Sequence, residues 1–147
     1  MSTKENRDLI RKIYSAMKDI AGDAGKIRSL YEENCTPDFI IHDLARGDMN
    51  REQRIQIMIS LLPALPDLTF SIDDMVAEGD KVVARYTMKA THKGTMMGIP
   101  ASGKQFAVKG IDINRIVRGK VAEVWSLSDS LGVMTQLGAI PSAASKK

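Results

Sequence analysis

Several places in this chain hold side chains able to move a proton. If the segment after Lys120 is a strand, Val121, Glu123, Trp125, Leu127 and Asp129 share one face. A carboxylate beside tryptophan and leucine is desolvated, which raises its pKa and makes it a stronger base once ionised. The competing reading makes Asp129 the N-cap of a short helix over 131–137, and the bare sequence favours that cap. In the strand from Lys81, Val82, Ala84, Tyr86, Met88, Ala90 and His92 alternate with Arg85, Thr87 and Lys89. His92 therefore closes an apolar, inward face, either as a histidine bonded to a loop or as a donor to a substrate carbonyl. Asp112 and Asn114 share a face opposite Ile111 and Ile113. Solvent is their plainer destination and a pocket wall the sharper one. His42 and Asp43 are neighbours, so only one of them can point inward.

Other chemistry finds little support. His42 and His92 lack the spacing of a metal pair, so no metal and no other cofactor is expected. The Gly98–Lys104 loop has the wrong spacing for a phosphate-binding loop, and Pro100 and Gly103 fit a strand connection. There is no Gly-x-Ser-x-Gly elbow, and Cys35, the only cysteine, sits in no motif. Cys35 also excludes a disulfide framework.

The elements that must position these residues come in two blocks. Leu9, Ile10, Ile13, Tyr14, Met17 and Ile20 recur at helical spacing and predict an amphipathic helix, interrupted by Gly22 and Gly25. Ile27, Leu30 and Tyr31 mark a second helix that ends before Pro37. Phe39 to His42 reads as a short strand. Asn50, with Gln53 three residues on, caps a third helix carrying Ile55, Met58, Ile59 and Leu62. From Leu68 the pattern has period two, predicting strands over about residues 68–78, 81–96, 105–118 and 120–129. Glu78-Gly79-Asp80 and Arg118-Gly119-Lys120 are turns between antiparallel neighbours. Helices followed by a meander make an α+β fold, with helices closing a strongly curved sheet and leaving a pocket at its open end.

At 147 residues the chain makes one domain, residues 1–147, with a tail expected over 139–147. Its net charge is only +3, and one Trp, three Tyr and three Phe are too few for a base-stacking basic face, so nucleic acid is not an expected partner. The N-terminus lacks a signal peptide's apolar stretch and no run is long enough to span a bilayer. A cytoplasmic location, with no membrane partner, is the default expectation.

His92-Lys93-Gly94, Gly98-Ile99-Pro100, Arg115-Ile116-Val117-Arg118-Gly119-Lys120 and Asp129 followed by Gln136-Leu137-Gly138 occur in one order along the chain. This set resembles the SnoaL-like polyketide (ester) cyclases, with similarity over nearly the whole chain and strongest from His92 to Gly138. The resemblance implies the cone of helices and antiparallel or mixed sheet shared with nuclear transport factor 2 and ketosteroid isomerase. It also implies a homodimer packed through the sheet and cofactor-free intramolecular aldol closure of a small hydrophobic carbonyl compound. It reverses the preference at Asp129, making it the acid/base, with His92 holding a carbonyl. Trp125, Tyr14, His42, Asp112 and Met88 are then the candidate substrate contacts. A ketosteroid-isomerase-like alternative uses Tyr14 as phenol donor, Asp43 as base and Asp112 as protonated donor. A non-catalytic ligand-binding module is the third, in which Asp129 merely caps a helix.

Overall fold

A computed structural model describes residues 2–140. Three helices precede or interrupt the first strands: α1 (Thr3–Ala16), α2 (Ala24–Asn34) and α3 (Arg51–Leu61). Six strands follow in the order β1 (Cys35–Asp43), β2 (Gly47–Asn50), β3 (Thr69–Glu78), β4 (Lys81–Thr91), β5 (Gln105–Val117) and β6 (Lys120–Ser128), and α4 (Ser130–Gln136) ends the described fold. The sheet order is β2-β1-β6-β5-β4-β3, antiparallel except where β1 lies parallel to β6. The expected α+β plan is therefore present, with a mixed sheet. The sequence reading missed β2 and the full length of β1.

Local chemistry accounts for the boundaries. Ser2 and Glu5 form a capping box on α1, and Asn50 and Gln53 form another on α3. Each such cap is worth about 1 kcal/mol. Arg118 and Gly119 both adopt positive φ, 48° and 77°, which closes the β5–β6 hairpin as a type I′ turn. At the far end Gly138 takes φ 79°, its amide bonds to the Thr135 carbonyl, and the Ala139 amide reaches the Met134 carbonyl. This Schellman closure ties down Ala139, where a tail was expected to begin. Residues 141–147 of that expected tail lie outside the described residues.

The inner sheet face and the helices enclose two apolar clusters. One joins α2 and α3 residues Ile27, Leu30 and Met58 to Phe106, Val108, Val133 and Leu137. The other joins Ile10 of α1 to Phe39, Ile41, Val82, Ala84 and Val124. A cavity opens between them.

A bulge decides which side chains face it. Arg115 pairs with Glu123 but Ile116 with Val121, so Ala122 is an extra residue on β6. Val121 and Ala122 are both buried, and alternation restarts with Val124 and Ser126 inward. Glu123, Trp125 and Leu127 do share a face, but it is the outer one: Trp125 is 38% and Leu127 55% exposed. The placement of Trp125 in the pocket wall is thereby corrected.

His42 is corrected for the same reason. It lies on the outer face of β1, opposite Trp125 in the parallel register, and stacks on that ring with centroids 5.6 Å apart. Its Nε2 meets Glu123 Oε2 at 2.6 Å and its Nδ1 meets Asp48 Oδ1 at 2.9 Å. Both carboxylates hold the imidazolium, raising the His42 pKa above 6.5, and His42 in turn draws Glu123 below 4.5.

Two predictions follow from this packing. At Gly110, directly opposite Tyr86 in the ladder, an added Cβ would stand 2.4 Å from the Tyr86 Oη. The Tyr86 ring cannot swing away, being packed at 5.2 Å on Phe70 and 5.8 Å on Tyr14. Gly110→Ala is expected to cost about 1–3 kcal/mol of stability in a urea titration. The outer cluster gives a pH signature. A raised histidine contributes stability that is full below its unfolded pKa of 6.5 and fades as pH rises through the folded value; a lowered glutamate contributes above 4.5 and fades in acid. The Tm difference between wild type and His42→Gln should therefore peak between those two values and shrink toward pH 9; a difference that grows with pH would refute the assignment.

Candidate active site

The cavity has two adjoining lobes that share Met17, Arg54, Phe70, Tyr86 and Ser126 as common wall. The deeper lobe is a compact cavity of about 110 Å³, and its make-up, apolar with a few polar groups, is that of small-molecule sites. Its lining is mostly aliphatic and aromatic, from Ile10, Ile13, Phe39 and Val124 among others, with few polar groups.

Asp112 is the carboxyl of the deeper lobe. It points inward from β5 because Phe106, Val108 and Ile116 have the same parity and face the core, which leaves Ile111 and Ile113 outside at 45% and 37% exposure. Tyr14 Oη, reaching from α1, donates to Asp112 Oδ2, and Ser126 Oγ of β6 donates to Oδ1 at 2.7 Å. Burial pushes the Asp112 pKa up; the two hydroxyls and the nearby Arg54 charge pull the other way, and the Asp43 charge adds to the rise. Tyr14 is also pushed well above 10, first by burial and then by Asp112, so it remains a proton donor at neutral pH.

Asp43, not His42, is the inward member of its pair and lines the outer lobe. Its Oδ1 accepts the Ala45 and Arg46 amides at 2.8 and 3.0 Å, and its Oδ2 stands 3.6 Å from Arg46 and 3.9 Å from Arg54. Met88 lines the same lobe, as do Ser128 and Ser130 at the mouth. Tyr14, Asp112 and Met88 thus face the cavity, whereas Trp125 and His42 do not.

Two further expected site residues lie elsewhere. Asp129 comes after β6 has ended, so strand alternation no longer governs it. It is exposed, and its Oδ1 accepts the Gly132 amide at 2.8 Å as the N-cap of α4. His92 is fully buried and lines neither lobe; its Nδ1 meets Ser102 Oγ at 2.9 Å and fastens the loop before β5. Cys35 touches the deeper lobe, but burial pushes its thiol up to about 12, leaving it protonated and unreactive.

Arg54 and Ser126 were missed by the sequence reading. Asn50 starts α3, so its register turns Arg54 and Met58 to the same side as Ile55; a lone arginine amid Ile55, Ile57 and Met58 was the available signal. Ser126 required knowing the bulge at Ala122.

Comparison with known proteins agrees with this architecture. The chain is 37% identical over 60 residues to the aklanonic acid methyl ester cyclase of Streptomyces peucetius, a stretch covering 41% of this chain and 41% of that enzyme. AclR of Streptomyces galilaeus, described as a candidate hydroxylase, superposes with a TM-score of 0.83 at 26% identity, over 95% of this chain and 100% of AclR. A protein of ketosteroid isomerase-like fold from Catenulispora acidiphila superposes with a TM-score of 0.70 at 18% identity, over 88% of this chain and 92% of that one, and shows the shared fold. The SnoaL-like polyketide cyclase family matches residues 11–137, and the chain belongs to that family.

Proposed function

We propose that the cavity carries out cofactor-free acid/base chemistry of the cyclase type on a small, largely apolar carbonyl compound, with Asp112 in place of Asp129 as the acid/base. The observation that carries this reading is the one carboxyl that lines the deeper lobe among the described residues, bonded to Tyr14 and Ser126. A carboxylate with a raised pKa is a stronger base than one in water. It removes a proton from a carbon flanked by carbonyls. The carbanion forms a carbon–carbon bond to a second carbonyl of the same molecule, and the resulting alkoxide takes the proton back from Asp112. As Asp112 takes up the proton it no longer needs the Tyr14 hydroxyl, which turns to donate to the developing oxyanion. Apolar walls exclude water, which would otherwise quench the carbanion.

One observation favours a second reading. Asp43 faces the same cavity, and a base at Asp43 with Tyr14 and protonated Asp112 as donors describes an isomerase of the ketosteroid type. The outer sheet face adds a partner to either reading: exposed Ile111, Ile113, Trp125 and Leu127 form the apolar surface through which a second copy of the chain would pack. Ile113→Glu is expected to yield a monomer by analytical ultracentrifugation if this face holds a homodimer; an unchanged sedimentation coefficient rules the face out.

The central test is proton exchange in deuterated water, followed by NMR on aryl ketoesters and a β,γ-unsaturated ketosteroid. Asp112→Asn is expected to slow exchange by at least about 100-fold, the usual loss on removing an acid/base group. The rate should rise with pH through an inflection above the ordinary carboxyl value of 3.8. Asp129→Asn, which keeps a good cap, should leave the rate unchanged. Loss confined to Asp43→Asn would select the isomerase, and loss confined to Asp129→Asn would restore the family's base. No exchange on any substrate by a folded wild type would leave a binding module.

A further inference from the structure

Arg54 is the under-served charge of the cavity. It projects from α3 into the wall common to both lobes, with its side chain only 17% exposed. A guanidinium offers five N–H donors in a planar fork. Among the described residues, its one hydrogen bond is a long one from Nε to Tyr31 Oη, 3.4 Å, and its buried Nη1 finds no hydrogen-bond partner.

The neighbouring acids do not fill this need. Asp43 is already served by two backbone amides, and its approaches to Arg46 and Arg54, at 3.6 and 3.9 Å, are both too long for hydrogen bonds. Asp112 spends its oxygens on Tyr14 and Ser126. Arg46 stands beside Asp43, and among the described residues no hydrogen bond or ion pair joins the Arg54 guanidinium to the Asp112 carboxyl in the same wall. A buried cation without hydrogen-bonded partners is costly, and the matching partner for a planar fork is a carboxylate.

We propose that Arg54 makes the cavity a site for a carboxylate-bearing substrate, a keto acid or its enolate rather than a neutral ester. The carboxylate accepts from the Arg54 fork, and the carbon skeleton lies along Phe70 and Tyr86, the aromatic wall that both lobes share with Arg54. This places the reacting carbonyl toward Tyr14 and Asp112. The inference rests on the cavity being the substrate site assigned above, but not on which group is the base.

The test is binding at neutral pH, by isothermal titration calorimetry, of 2-naphthoate against its methyl ester. The wild type is expected to bind the carboxylate at least about 10-fold more tightly, the gain of a charge-assisted hydrogen bond pair. Arg54→Gln should erase the preference while leaving ester affinity within about 2-fold. Arg54→Lys keeps the charge with a shorter reach and should retain a smaller preference, which covers the case in which the glutamine variant does not fold. Asp112→Asn should lose exchange but keep the carboxylate preference, so failure of the acid/base reading and failure of this one are separable. Equal affinity of the wild type for the two probes, including no binding of either, overturns the proposal. So does a full preference surviving in folded Arg54→Gln.

Discussion

A carboxyl group in an apolar wall has to be hydrogen-bonded, and much of this structure follows from how Asp112 meets that requirement. Its partners come from two other elements, Tyr14 on α1 and Ser126 on β6. The bond to Tyr14 ties the helix layer to the sheet. It also brings the Tyr14 ring edge-on to Phe70 and Tyr86, at 5.7 and 5.8 Å. Gly110, two residues before Asp112 on the same strand face, is what lets the Tyr86 ring lie flat against the sheet at that point. Polar satisfaction and aromatic packing thus constrain one another, and the cavity keeps its width because neither can shift alone.

The motifs that mark the family do mechanical work in this chain. Gln136 bonds both the amide and the carbonyl of Ala107, at 2.8 and 2.7 Å, pairing with the strand as a neighbouring strand would. Leu137 enters the core beside it and Gly138 supplies the left-handed turn that ends α4. His92 bonds Ser102 and exchanges backbone hydrogen bonds with Gly103 and Lys104, closing the loop between β4 and β5. Gly94 lies so close to Ala64 that a Cβ would sit 3.0 Å from it. In this chain these residues lock the ends of β4, β5 and α4.

Local signals were legible where local chemistry decides. The Asn50–Gln53 box, the Gly79 and Gly119 turns and the alternation in β4 all translate directly into structure. The parallel pairing of β1 with β6 was not legible, since it joins segments about eighty residues apart. Parity errors came from truncating the pattern. Judged on Ile111 to Asn114 alone, β5 has two equivalent faces; extended to Phe106, Val108 and Ile116, with Lys109 and Arg115 opposite, only one face can be the core. For β6 no such extension helps, because the bulge at Ala122 reverses the parity inside the strand and its position depends on pairing with Arg115 and Ile116.

The same bulge has a chemical consequence. Without it, Val121 inward would carry Glu123 and Trp125 inward too, setting a second carboxylate among the aliphatic residues that now surround Val124. Two carboxylates in one apolar wall cannot both ionise readily. With Ala122 inserted, Glu123 instead joins His42 and Arg115 on the outer face, where opposite charges and solvent stabilise it. Ser126 takes the inward place, and its hydroxyl can donate to Asp112 whether that group is ionised or accept from it when protonated. A single inserted residue therefore separates the two carboxylates by a sheet's thickness. It leaves Asp112 with hydroxyl partners that tolerate both of its protonation states.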